Sequence, residues 1–131
     1  MKNSIVKICS FLLFLSLSMV ACSSNKEIPE GVSAKVLIQE GQNEYNRGRY
    51  NSALRFYDAV IERYGDDVSL YIEATYEIAH IYLKKKKYDR AEPLLNEILN
   101  MYPKHNPGEL PPAYEKLAKI CLEKIPHKEK N

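Results

Sequence analysis

Tryptophan is absent from the 131 residues, phenylalanine occurs three times and glycine five times. With so few glycines there is no recognisable phosphate-cradling loop. An excess of charge of one sign is missing too: 19 Lys and Arg face 17 Asp and Glu. That balance favours neither a nucleic acid nor an acidic substrate. Cysteine is scarce, with Cys9, Cys22 and Cys121 only. Cys9 falls in an N-terminal address segment and Cys22, directly after it, is expected to be modified, so one thiol remains and an internal disulfide is not available. No Ser-His-Asp order and no paired catalytic carboxylates stand out, and neither an enzyme, a cofactor nor a metal is expected. What is abundant is tyrosine, ten in all, which suits packed helices whose rings keep one wet edge.

The N-terminus reads as an address. Lys2 and Lys7 precede an apolar run from Phe11 to Ala21. Such a run is too short to span a bilayer, which needs about 20 residues, but it fits a secretory signal peptide. Met19-Val20-Ala21-Cys22 resembles a bacterial lipobox, in which a small residue precedes the Cys. The resemblance implies cleavage before Cys22, diacylglycerol on its sulfur and an acyl chain on the new amine, the lipid that anchors the chain in the membrane. Ser23 is not the Asp that retains many such lipoproteins at the inner membrane, which implies the periplasmic face of the outer membrane. Residues 1–21 are therefore read as signal peptide and 22–33 as lipidated Cys and flexible tether. Residues 34–125 form a helical domain, and 126–131 a disordered charged tail.

Within the domain a pattern occurs twice. Gly48-Arg49-Tyr50-Asn51-Ser52-Ala53 returns as Lys87-Tyr88-Asp89-Arg90-Ala91, with large apolar residues at Tyr57 and Leu95. The two tyrosines, Tyr50 and Tyr88, stand 38 positions apart, the sign of a repeat array. Helices are expected from Ala34, over Tyr50–Tyr64, over Ser69–Lys85, from Asp89 to Met101, and over Pro112–Glu123. Ser33 is a candidate N-cap, as is Asp67 or Ser69 for the third helix. Gly65 fits a left-handed helix end, and Pro93 sits near a helix start, where its missing N–H costs little. Ala113, Leu117 and Ala118 repeat Ala74, Ile78 and Ala79 at an offset of 39.

These residues resemble the tetratricopeptide (TPR) repeat, a helix-turn-helix unit of 34 residues. Its small eighth residue is Gly41, then Ala79. Its aromatic is Tyr50, then Tyr88; its second small residue is Ala53, then Ala91; its bulky residue is Tyr57, then Leu95. Its closing Pro is Pro103 in the second copy only, with Gly65 in the first, and Glu40 stands in the first copy where Ile78 stands in the second. The segments also look like those of BamD-like outer-membrane assembly lipoproteins. The resemblance implies an all-α fold, a short TPR-type array of two repeats plus a C-terminal capping helix. Two repeats are few for a stack in which each covers its neighbour, so the fifth helix has to cover the fourth.

The resemblance also implies function: a non-enzymatic, membrane-anchored adaptor that binds other envelope proteins, peptides or helices in a groove. Carrying the groove positions across gives Ile38, Gln42 and Tyr45 in the first copy and Tyr76, His80 and Leu83 in the second. The offset of 39 adds Glu115, Lys119 and Leu122. The plainer alternative is that Ile38, Tyr45 and Leu83 simply pack together. A small-ligand-binding or transporter-associated lipoprotein, and a self-associating homodimer, remain alternatives. Lys84–Lys87 reads as a solvated turn, Cys121 as a small core residue, and His80 as a hydrogen-bonding side chain rather than a metal ligand, because it lacks a second ligand nearby.

Overall fold

The computed structural model describes residues 27–126. They form five α-helices: α1 (Ala34–Asn46), α2 (Tyr50–Tyr64), α3 (Val68–Lys84), α4 (Tyr88–Met101) and α5 (Pro112–Glu123), with a 3-10 turn at Tyr102–Lys104 before the last. There is no strand among the described residues. Helices α1 and α2 make one antiparallel hairpin, α3 and α4 a second, and α5 lies against α4 and α3.

The repeat is built at the level of single hydrogen bonds. At the first hairpin turn Arg49 N–H donates to Glu44 O and Gly48 N–H to Tyr45 O; at the second, Lys87 N–H donates to Tyr82 O and Lys86 N–H to Leu83 O. Each is the pair of bonds that closes a helix whose next residue is left-handed. Gly48 takes that conformation at φ 73°, and Lys86 takes it at φ 56°. The Lys84–Lys87 run is thus partly a turn under backbone constraint, and Lys85 Nζ also donates to Asn51 Oδ1 at 3.0 Å. Between the hairpins only residues 65–67 intervene, so the excess over a 34-residue period lies in the helices, which are 15 residues in α2 and 17 in α3.

Several helix ends differ from expectation. Helix α3 starts one residue early, because Asp67 Oδ1 accepts from the Ser69 and Leu70 N–H groups at 2.9 and 3.2 Å. Helix α4 starts at Tyr88 rather than Asp89. Ser33 sits at the N-cap of α1 without a capping side-chain bond. Gly65 is not left-handed; its φ is −65°. What requires glycine there is close approach, since a Cβ would fall 2.4 Å from the Ile61 carbonyl oxygen. Pro93 is the sixth residue of α4, past the four donors that a helix leaves free, so it does remove a helical bond, at an exposed position.

Two cores flank α3. On one side Ala74, Ile78 and Ile81 join Leu37, Ile38, Ala53, Tyr57, Ala59 and Val60. On the other, Ile72, Tyr76 and Ala79 join Leu95, Ile98, Leu110, Ala118, Cys121 and Ile125. Helix α5 therefore covers the second hairpin as the short array requires. Its register differs from the expected one. Leu110, Tyr114, Ala118 and Cys121 pack inward; they follow Leu70, Ala74, Ile78 and Ile81 by forty positions, not thirty-nine. Ala113 and Leu117 are consequently exposed.

Residues 1–26, with the expected signal peptide and lipidated Cys22, and residues 127–131 of the expected tail lie outside the described residues. Part of the expected tether is held in place. Arg63 donates to the carbonyls of Pro29 and Ile28 at 2.7 and 3.0 Å, and Tyr64 Oη to that of Val32 at 2.7 Å. Ile28 and Val32 rest on the first core, so the chain is held to α2 well before α1 begins.

The closest packing joins α1 to α2. A Cβ on Gly41 would lie 2.7 Å from Tyr57 Cε1 and Cζ, and Tyr57 is fully buried. The second copy solves the same crossing with Ala79 and Leu95: one residue grows and the other shrinks. Alanine at position 41 would gain about 1 kcal/mol of helix propensity, but overpacking costs about 1–3 kcal/mol, and Tyr57 has no free space to enter. Gly41→Ala is expected to lower stability in urea unfolding by about 1–2 kcal/mol. Tyr57→Leu alone also destabilises, through the cavity it leaves. The double variant should lose less than the sum, because it reproduces the second copy; strictly additive losses would contradict the complementary-volume account.

Candidate functional site

Helices α1, α3 and α5 share one side of the molecule, and aromatic rings run across it. Tyr50 and Tyr45 have ring centroids 5.5 Å apart; Tyr45 stacks on His80 at 5.6 Å, and His80 on Tyr76 at 5.9 Å. Tyr76 then meets Tyr114 of α5 at 5.4 Å with the planes tilted by 53°. The ladder is continuous over five rings from four helices. Its spacings are those of favourable aromatic pairs, so it braces the helices and offers flat, amphipathic surface along its open edge.

The helical period explains the alignment. Glu73, Tyr76, Glu77, His80 and Lys84 occupy one stripe of α3, at steps of three and four. Around this stripe the electrostatics change from one end to the other. Burial, reinforced by the neighbouring Glu73 charge, pushes the Glu77 carboxyl above its ordinary range. Burial lowers the His80 pKa from 6.5, and the Lys124 and Lys84 charges push it the same way. Tyr45, Tyr76 and Tyr114 are raised mainly by burial, with the hydrogen-bonded Cys121 next for Tyr76 and the Glu73 charge next for Tyr114. The surface is acidic near Tyr114 and basic beyond His80.

Of the residues expected in the groove, the structure brings Tyr45, His80 and Tyr76 into direct contact, and Gln42 is half-buried on the same helix as Tyr45. Ile38 instead lies in the first core and Leu83 packs on the second. Tyr76 is itself 9% exposed, its hydroxyl 3.8 Å from Cys121 Sγ, so it presents little more than an edge. Lys119 points elsewhere and pairs with Glu115 at 2.6 Å, while Leu122 packs on the second core. The departures of Lys119 and Leu122 follow from the forty-residue register of α5. Glu73, Tyr114 and Lys124 carried no sequence signal for this surface, and Glu77 stood out only as a neighbour of His80 too isolated to hold a metal. Tyr114 takes the place of Ala74 in the forty-residue register, so the offset of 39 passed over it.

A second concavity, of about 620 Å³, lies between the end of α4, the following loop and α5. Its walls include Leu99, Tyr102, His105, Leu110, Glu115 and Lys119. The loop is held by Tyr102 Oη donating to Pro111 O at 2.6 Å, by His105 Nδ1 on Met101 O at 2.9 Å, and by Asn106 Nδ2 donating to Glu109 Oε1 at 2.6 Å. Gly108, at φ 90°, permits the turn. In the forty-residue register this wall corresponds to the face by which α3 meets α4, with Lys119 in place of Ala79. No cluster of three or more His, Cys, Asp or Glu that could hold a metal exists among the described residues.

Residues 45–120 match the tetratricopeptide repeat family, more than half of the chain. The chain belongs to the tetratricopeptide repeat family. TPR domains are in general non-catalytic scaffolds that mediate protein–protein contacts. An uncharacterized protein of Treponema pallidum (strain Nichols) is 31% identical over 130 residues, covering 96% of this chain and 52% of that protein. The chain thus spans about half the length of the curated relative that it matches. No solved structure matches it.

The ladder's central ring supplies a pH test. Its pKa is depressed in the folded state, so as pH falls below 6.5 the unfolded chain takes up the proton first and stability declines. Glu77 works in the opposite sense: its raised pKa adds stability at low pH that is lost as pH rises through the carboxylate range. Thermal melts between about pH 7.5 and 5.5 should therefore show falling stability, and His80→Gln should flatten that slope. An NMR titration placing the His80 pKa at or above 6.5 would contradict the burial argument.

Proposed function

We propose that this TPR protein is a membrane-anchored, periplasmic adaptor of a bacterial cell envelope, which holds a partner protein against the side formed by α1, α3 and α5. The observation that carries the reading is the five-ring ladder across those helices and the start of α2. It joins both hairpins and the closing helix into one surface, with aromatic edges for contact and opposite charges at its two ends for orientation. Membrane anchoring rests on the lipobox-like Met19-Val20-Ala21-Cys22 and the polar residues after it. Two or more acyl chains at one Cys, each buried CH₂ contributing about 0.8 kcal/mol, hold firmly where one chain does not. Ser23 after the Cys favours the outer membrane, and the likeness of the repeats to BamD-like lipoproteins favours a place in envelope or outer-membrane protein assembly.

One preparation tests both parts. Cells expressing the tagged chain are fed radioactive palmitate, crosslinked and fractionated. The wild-type chain should carry label and a specific crosslinked partner in the membrane fraction. Cys22→Ala should lose the label. Tyr45→Ala and His80→Ala, at half-buried positions, should keep the label and lose most of the partner. An equally labelled Cys22→Ala chain removes the anchor, and unchanged partner recovery removes the groove.

The cleft beside α5 supports a second reading, a small-ligand-binding lipoprotein. Its volume lies in the range of small-molecule sites, about 300–1,000 Å³. Native mass spectrometry of the purified chain should then show a retained small molecule that Leu99→Trp, filling the cleft, displaces. A clean unliganded mass in both chains leaves the adaptor reading alone.

A further inference from the structure

The groove contains two acidic side chains without a cation and a buried hydroxyl without a partner. Glu73 and Glu77 stand four residues apart on the open stripe of α3, both half-buried. Among the described residues the ion pairs involve Glu44 and Glu115 but neither of these. Beneath them lies Tyr57. Its ring passes Gly41, its side chain is 0% exposed, and its Oη has no hydrogen-bond partner. Tyr57 shares the first core with Ala74 and Ile78, the α3 residues that directly follow Glu73 and Glu77, and burial, then the Glu77 and Glu73 charges, pushes its hydroxyl above the ordinary tyrosine range. A buried hydroxyl left without a partner is destabilising. Two like charges brought close on a half-buried surface are also unfavourable. Both costs fall if a positive group enters from solvent.

We propose that the acidic end of the groove receives a lysine or arginine side chain from a basic, amphipathic segment of the partner protein. This deepens the adaptor reading and rests on it. The two carboxylates accept the cation's N–H donors. The Tyr57 hydroxyl accepts from below as Glu77 turns outward to meet the charge. Beyond His80, Lys84 and Lys124 oppose a second positive charge. A small polyamine is therefore disfavoured, whereas a segment with one basic residue followed by apolar or acidic ones fits the whole length. That charge order also sets the direction in which the segment lies.

The test uses the full chain and three short fluorescein-labelled helical peptides, alike except at one position carrying Lys, norleucine or Glu. Fluorescence anisotropy should show the Lys peptide binding about tenfold more tightly than the norleucine peptide, with Glu weaker again. The double variant Glu73→Gln/Glu77→Gln should lose that preference, and added salt should reduce it. Tyr57→Phe should hold or raise the melting temperature while weakening the Lys peptide alone, an outcome that a purely structural tyrosine would not give. Equal binding of the three peptides, weakened by His80→Ala, overturns the cation inference and leaves the groove reading standing. A Lys preference that survives the Gln variants, or no binding by any peptide, also overturns it.

Discussion

The structure depends on one helix being apolar on two sides. Helix α3 sends Ala74, Ile78 and Ile81 into the first core and Ile72, Tyr76 and Ala79 into the second. Neither hairpin buries its own face completely, so each is stable only through this shared wall. Fully burying a residue such as Ile72 or Ile81 contributes about 1.5–3 kcal/mol, and α3 places several of them. A helix loaded this way has one narrow stripe left for polar residues, and Glu73, Glu77, His80 and Lys84 fill it. The candidate groove is thus a consequence of the packing: it is the part of α3 that the two cores leave open.

The same reasoning explains why aromatic residues occupy the helix crossings along that stripe. Each must leave one edge to solvent and bury the rest against a neighbouring helix. Tyr45 and His80 do so at the first crossing, Tyr76 and Tyr114 at the next. A leucine would bury its surface but leave no polar atom for the open side, and a glutamate would leave the crossing unfilled. The repeated unit thereby supplies both cohesion between hairpins and the chemistry of the surface.

Much of this was legible in the chain itself. The copies at Tyr50 and Tyr88 located both hairpins, because a turn of left-handed geometry followed by an aromatic and a small residue leaves a local mark. Tyr45, Tyr76 and His80 were found for the same reason, being fixed by distance from those marks within continuous helices. Where the chain leaves the helix the marks end. The 3-10 turn and the loop to Pro111 are irregular, so the register of α5 slipped by one residue, and a slip of one rotates a helix by about 100°. That rotation moved Lys119 and Glu115 out of the expected groove and hid Tyr114. The latch of Arg63 and Tyr64 on the segment from Ile28 to Val32 left no periodic signal, since its acceptors are backbone carbonyls.

The ends of the stack bear on how so short an array holds together. In α1 the positions equivalent to Ala74, Ile78 and Ile81 are Val36, Glu40 and Asn43. Asn43 donates to Glu40, and Gln39 to Asn43, so this end face satisfies its own polar groups. In α5 the corresponding face toward the next helix carries the Glu115–Lys119 pair. Burying either face against another helix would strip water from carboxylate and ammonium groups without offering better partners, a cost that apolar contact rarely offsets. End-to-end stacking is therefore opposed at both faces, whereas the stripe between them holds carboxylates and rings that gain by being covered. Recognition by this fold belongs on its side rather than its ends.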